Sequence, residues 1–140
     1  MSNPQHPPPQ QPPMYSPAPM TPADERMWGM FGHLSAIAAS LIGLPFLGPL
    51  IVFLVYKDRN GFVRGHSAEA LNMTISVIVY EIVLSIVCGL ITAVTLGFGS
   101  PIFVLLGVPG IVFLVFAILA AVAANSGRVY RYPLIFRLVR

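Results

Sequence analysis

The sequence predicts an all-α integral membrane protein with three transmembrane helices, the first broken by glycine and proline, plus interfacial segments. Three observations predict it. First, 56% of the 140 residues are hydrophobic and only 9% are charged, against about 25% charged in a soluble domain. A chain this short cannot hide that much apolar surface by folding on itself, so a bilayer must supply the apolar surroundings. Second, the charges are segregated: 27–56 and 102–127 contain no Asp, Glu, Lys or Arg, and 71–96 contains only Glu81. Third, each run reaches the roughly 20 residues that a helix needs to cross about 30 Å of hydrocarbon. The runs do not alternate as barrel strands would, and a helix satisfies its own backbone in lipid.

Residues 1–23 form a proline-rich tail. Nine of the fourteen prolines lie there, among Gln and Asn and without a charged residue. Such a segment is expected to be disordered with polyproline II bias. It is either a spacer or a ligand for a proline-binding module. It has neither the basic nor the apolar region of a signal peptide. The transmembrane domain follows over 24–140.

The first span is expected over about 25–43, with a continuation at 49–57. Asp24 and Glu25 complement the dipole of the opening turn, and Trp28 suits an interfacial anchor. Gly43, Pro45, Gly48 and Pro49 break the helix, and the sequence leaves open whether the second piece crosses or turns back. Lys57 to Ala70 is expected as a polar loop, with a turn at Asp58-Arg59-Asn60-Gly61.

The second span, 71–96, carries a polar stripe. Thr74, Glu81, Ser85, Cys88, Thr92 and Thr95 are spaced to share one helix face. Ser85 and Gly89 form a small-xxx-small pair that would let helices approach. Cys88, the only cysteine, reads as a small buried apolar residue. The turn 97–101 leads into the third span, 102–124, kinked near Pro109. Ala117, Ala120, Ala121 and Ala124 give that span a small-residue face. The last segment, 128–140, mixes apolar residues with Arg128, Arg131, Arg137 and Arg140. It is expected to lie on an anionic membrane surface with those arginines at lipid headgroups.

Basic residues set orientation. With three spans, seven of the eight Lys and Arg fall in the loop 57–70 and the C-terminus, which places both in the cytoplasm of a multi-pass cell-membrane protein. Arg26 alone lies on the other side.

Glu81 is the sharpest single feature, because a carboxylate within a span normally faces protein or water and has a partner. His33 and Glu81 should lie within about 6 Å of each other in depth if the first run crosses, so the two are expected to approach. Glu81, His33, Ser85 and Thr92 make up the candidate intramembrane polar site. His66 and Glu69 are three residues apart and read as a solvated helix face, since two side chains do not make a metal site. No catalytic motif, metal site or cofactor motif is present, and the basic residues that flank the spans point to lipid rather than nucleic acid.

Three stretches together carry a resemblance. They are Met27-Trp28-Gly29-Met30-Phe31-Gly32-His33-Leu34-Ser35; then Gly48-Pro49-Leu50-Ile51 through Phe62 and His66-Ser67-Ala68-Glu69-Ala70-Leu71-Asn72; and Ala124-Asn125-Ser126-Gly127 through Tyr130-Arg131-Tyr132-Pro133. Over about 26–140 the chain resembles a bacterial family of small membrane proteins of unknown function. That family is placed near the plastid inner-envelope import component of about twenty kilodaltons (Tic-twenty-like). The resemblance implies a helical bundle in a bacterial plasma membrane and no particular reaction. By position, His33, His66, Glu69, Asn72 and Tyr132 match recurring residues of the family, and Glu81 matches none.

The function expected from all of this is a non-enzymatic scaffold or accessory subunit of a membrane complex. Its partners would be membrane lipids and other proteins, or further copies of itself through helix faces. The alternative is a transport or protein-translocation component that uses the polar face around Glu81.

Overall fold

The computed structural model describes residues 18–140. The expected proline-rich tail lies outside the described residues except for 18–23, where Pro22 and Ala23 already belong to the first helix. The described residues form four α-helices and one 3₁₀ segment, without strands. These are α1 (Pro22–Ser40), α2 (Leu47–Tyr56), α3 (Gly61–Val94), a 3₁₀ segment (Ser100–Leu106) and α4 (Gly107–Asn125).

Local chemistry explains where α1 begins. Thr21 caps it, its hydroxyl accepting from the Asp24 amide at 3.2 Å and donating to Asp24 Oδ2 at 2.7 Å. Pro22 sits in the first turn, where its missing N–H costs nothing. The helix ends at a turn in which Gly43 takes φ +76°, a conformation open to glycine and costly for residues with a Cβ.

After that turn the chain reverses. Trp28 near the start of α1 stacks on Tyr56 at the end of α2, with ring centroids 4.9 Å apart. Glu25 Oε1 accepts from Asn60 Nδ2 at 2.6 Å. At the other end Gly48 meets Ser35 so closely that a Cβ would overlap the Ser35 backbone. So α1 and α2 form an antiparallel hairpin: the second piece, whose direction the sequence left open, turns back along α1. Among the described residues only two stretches are long and apolar enough to span, Gly61–Val94 and Ser100–Asn125. Their most apolar windows are 6% and 11% buried, which suits surfaces facing lipid rather than the core of a soluble protein.

The expected loop 57–70 is also corrected. Asn60 caps α3, its side chain accepting from the Val63 amide at 3.0 Å. The helix then runs 34 residues without interruption, about 51 Å at 1.5 Å per residue. Its first turns are polar enough to resemble a loop, but they pack against α1. Gly29 lies against Phe62 and Ala124, and Gly32 lies against the Ser67 backbone. Ala36, Met73, Phe113, Ala117, Ala120 and Tyr132 then close the core. α1 therefore runs alongside α3 in the same direction and opposite to α4. The alanine face of α4 is buried as expected, with Ala117, Ala120 and Ala124 at 0% exposure. The close approach expected at Gly89 is absent, since a Cβ there would meet nothing within 4 Å.

At its C-terminus α4 stops in a Schellman turn. The Arg128 amide donates to the Ala123 carbonyl and the Gly127 amide to the Ala124 carbonyl, with Gly127 at φ +71°. The chain turns back there, and residues 128–140 are not helical. Residues 128–140, expected as an amphipathic surface segment, form an extended strap folded onto α3. The N-terminal side of α1, the turn 57–60 and the strap thus gather at one end, and all eight Lys and Arg residues lie there. The α3–α4 turn at the other end has no charge.

The Gly48 contact gives a direct test. Gly48→Val should lower stability by about 1–3 kcal/mol, the usual cost of overpacking. Gly89→Val, in open space, should be close to neutral. Thermal unfolding of the detergent-solubilised protein checks both, and equal effects would contradict the hairpin.

Candidate functional site

A row of buried polar groups crosses the charged end of the bundle. His33 on α1, His66 on α3 and Tyr132 on the strap are 0%, 2% and 2% exposed. His33 Nε2 lies 2.9 Å from His66 Nδ1, and His33 Nδ1 lies 2.8 Å from the Tyr132 hydroxyl. Both ring nitrogens of His33 are therefore taken. The expected approach of His33 to Glu81 is corrected, and so is the reading of His66 as solvated.

Hydrogen-bond chemistry gives the row a direction. Tyr132 O–H donates to His33 Nδ1, and His33 Nε2–H donates to His66 Nδ1. His66 then carries its proton on Nε2, which is buried without a partner in hydrogen-bond geometry. The Arg128 carbonyl lies near enough to act on that ring. In the opposite direction the phenol proton would have no acceptor, so this assignment leaves fewer groups unsatisfied. Burial raises the Tyr132 phenol above its ordinary value, with Tyr130 and Glu69 adding to the effect. It stays neutral and remains a donor at ordinary pH.

The strap is tied to α3 by four side chains on one face, at positions 69, 72, 76 and 80. Glu69 Oε1 accepts from Arg137 Nε at 2.9 Å, and its Oε2 faces the Tyr132 amide at 3.4 Å. Asn72 Oδ1 accepts from the Leu138 and Val139 amides at 2.9 and 2.8 Å, and its Nδ2 donates to the Val139 carbonyl at 2.8 Å. The Phe136 amide donates to Ser76 Oγ at 2.8 Å, and Tyr80 donates to the Leu134 carbonyl at 2.6 Å. Leu134 is a non-glycine residue at φ +53°, and the Tyr80 bond holds that turn. An extended segment has no partners for its own backbone, and here the helix face supplies them.

The structure thus brings His33, His66, Glu69, Asn72 and Tyr132 into one network with the strap. Ser76 and Tyr80, which sequence reasoning did not single out, complete it. Their signal was the 3, 4, 4 spacing of polar residues from 69 to 80. Arg137 forms the one ion pair among the described residues. Arg128, Arg131 and Arg140 are exposed.

The candidate intramembrane site is not assembled in the same way. Glu81 and Thr92 are half-buried and Ser85 is exposed. Glu81 makes no side-chain hydrogen bond among the described residues, and Thr92 Oγ1 is buried without a partner. Thr74 and Thr95 donate to carbonyls of their own helix. Cys88 is fully buried, 3.7 Å from the Ile102 carbonyl.

The description of a magnetosome magnetite crystal formation protein family, MamF/MmsF, matches residues 24–139. The chain belongs to that family. No curated protein and no solved structure matches it. The family match covers α2, α3 and α4, all but the first two residues of α1, and nearly the whole strap. It supports the expected bacterial family of small membrane proteins, and it shows no relationship to the plastid import component. Where unknown function was expected, the family's description names magnetite crystal formation.

Two measurements test the network. Asn72→Ala removes three hydrogen bonds to the strap, so amide exchange at Leu138 and Val139 should rise at least tenfold, the equivalent of about 1.4 kcal/mol. The second is alkaline release. The folded state holds the Tyr132 proton more tightly than the unfolded chain does. The strap is therefore fully held below the ordinary phenol value of about 10 and loosens as pH rises above it. Proteolysis of the strap should rise with pH in the wild type. In Tyr132→Phe, which cannot ionise, the rise should vanish from a baseline already raised by the lost bond to His33.

Proposed function

We propose that the protein is a non-enzymatic membrane scaffold acting in the setting its family's description names, the formation of magnetite crystals at a magnetosome membrane. The observation that carries this reading is how its polar side chains are used. His33, His66, Tyr132, Glu69, Asn72 and Ser76 all hold helices or the strap in place, and none forms an open pair of acid and base. Three of the five carboxylates are engaged within the fold, which favours an indirect role in mineral growth. Asp24 bonds Thr21, Glu25 bonds Asn60 and Glu69 pairs with Arg137. Among the described residues no three metal-ligating side chains converge.

The protein would act through its basic end and its exposed apolar helix faces, recruiting lipids, other proteins or further copies of itself. The positive-inside rule puts that end, with the turn 57–60 and the strap, in the cytoplasm. With α1 and α2 paired as a hairpin, residues 18–21 fall on the same side.

A second reading, a transport or translocation component, draws on the half-buried Glu81 and its lack of a partner. One experiment separates the two. The chain is expressed in a magnetite-forming bacterium that lacks its own member of the family, and crystal sizes are measured by electron microscopy. The scaffold reading expects the wild type and Glu81→Ala to change crystal size alike, and Asn72→Ala to reach the membrane without effect. Loss of the effect in Glu81→Ala, with Asn72→Ala intact, would favour transport. A wild-type protein that reaches the membrane and leaves the crystals unchanged would overturn the proposed setting.

A further inference from the structure

A cleft lies between the first turns of α3 and the strap, beside the Glu69 and Asn72 contacts that hold the strap. Its volume is about 460 Å³. Arg64 reaches it from α3, and Arg131, Arg137 and Arg140 reach it from the strap. Glu69 also lines it, but Arg137 already neutralises that carboxylate at 2.9 Å. Arg64, Arg131 and Arg140 have no acidic partner among the described residues. Three like charges around one opening repel one another unless an anion joins them.

Further features fit an anion. Gly61 and Gly65 line the cleft, and a Cβ on either would meet nothing within 4 Å, so the helix backbone is open there. The cleft lies at the N-terminal end of a long helix, where the dipole favours negative charge. His66 lines the cleft and is 2% exposed, and its Nε2 has no partner in hydrogen-bond geometry. Phe62 and Val129 make part of the wall apolar. Beside the cleft the strap exposes Leu138 at 70% and Phe136 at 47%, as suits a segment at the edge of a bilayer.

We propose that this cleft binds a phosphate group, taken from an anionic phospholipid headgroup or from phosphate in solution, through Arg64, Arg131 and Arg140. Guanidinium forks match phosphate oxygens in pairs. A phosphate held by Arg64 on one wall and Arg131 or Arg140 on the other links α3 to the strap. Binding therefore tightens the strap, and the inference holds whether or not the scaffold reading does.

The test uses the full chain in maltoside micelles, which carry no phosphate. Hydrogen exchange is followed at the Phe136, Leu138 and Val139 amides. Phosphatidylglycerol added to the micelles should slow exchange about tenfold, the worth of one charge-assisted hydrogen bond. Arg64→Ala/Arg131→Ala should abolish the slowing. The charge-matched variant Arg59→Ala/Arg128→Ala, altered outside the cleft, should keep it. Inorganic phosphate provides the other arm. Slowing by phosphatidylglycerol alone assigns the group to a lipid, and slowing by both assigns it to phosphate itself. No slowing by either, or equal loss in the two double variants, overturns the proposal.

Discussion

His33 can satisfy both of its ring nitrogens only if α3 and the C-terminal strap come to it, and the rest of the structure follows from that need. A fully buried imidazole without partners costs about 1–3 kcal/mol for each orphaned group. With His66 on one side and Tyr132 on the other, the ring joins three segments that are remote in sequence. α1 carries no apolar run long enough to span, yet it is drawn alongside α3 and α4. The alanine face of α4 and the glycines of α1 then let the backbones approach closely. Small residues permit the contact, and the polar row sets where along the helices it occurs.

The strap shows the same constraint acting on backbone. An extended chain has amides and carbonyls that it cannot satisfy within itself. Asn72, Ser76, Tyr80 and Glu69 take their place as a ladder of side chains along α3. The 34 residues of α3 divide accordingly: its first turns are a docking face, and its later turns are mostly apolar and exposed. The same docking creates the cleft, because the arginines that the strap brings up have no acids to meet.

Much of this was legible in the sequence, and the failures have physical causes. The charge-free runs revealed α4 and the apolar part of α3, because lipid exposure leaves a compositional trace. The Gly43 to Pro49 break was also visible, but a break does not encode the direction of the chain beyond it. Only Trp28 against Tyr56 and Glu25 against Asn60 decide that α2 turns back. The start of α3 was hidden because Arg64, His66 and Glu69 look like loop residues, although His66 is partnered on α1 and Glu69 on the strap. The His33–Glu81 pairing failed because it assumed that the first run crosses. The strap could not be read from its own residues at all, since its hydrogen-bond partners lie about sixty positions earlier. The resemblance did point at His33, His66, Glu69, Asn72 and Tyr132, without indicating that they touch.

The bond between His33 and His66 is the point on which the account turns, and it can be observed directly. Nuclear magnetic resonance of the protein with ¹⁵N-labelled histidine, in lipid bilayers, reports through-hydrogen-bond coupling between ring nitrogens. The account predicts coupling between His33 Nε2 and His66 Nδ1, with the proton on His33. Absence of coupling, with both rings showing the shifts of water-exposed imidazole, would contradict it.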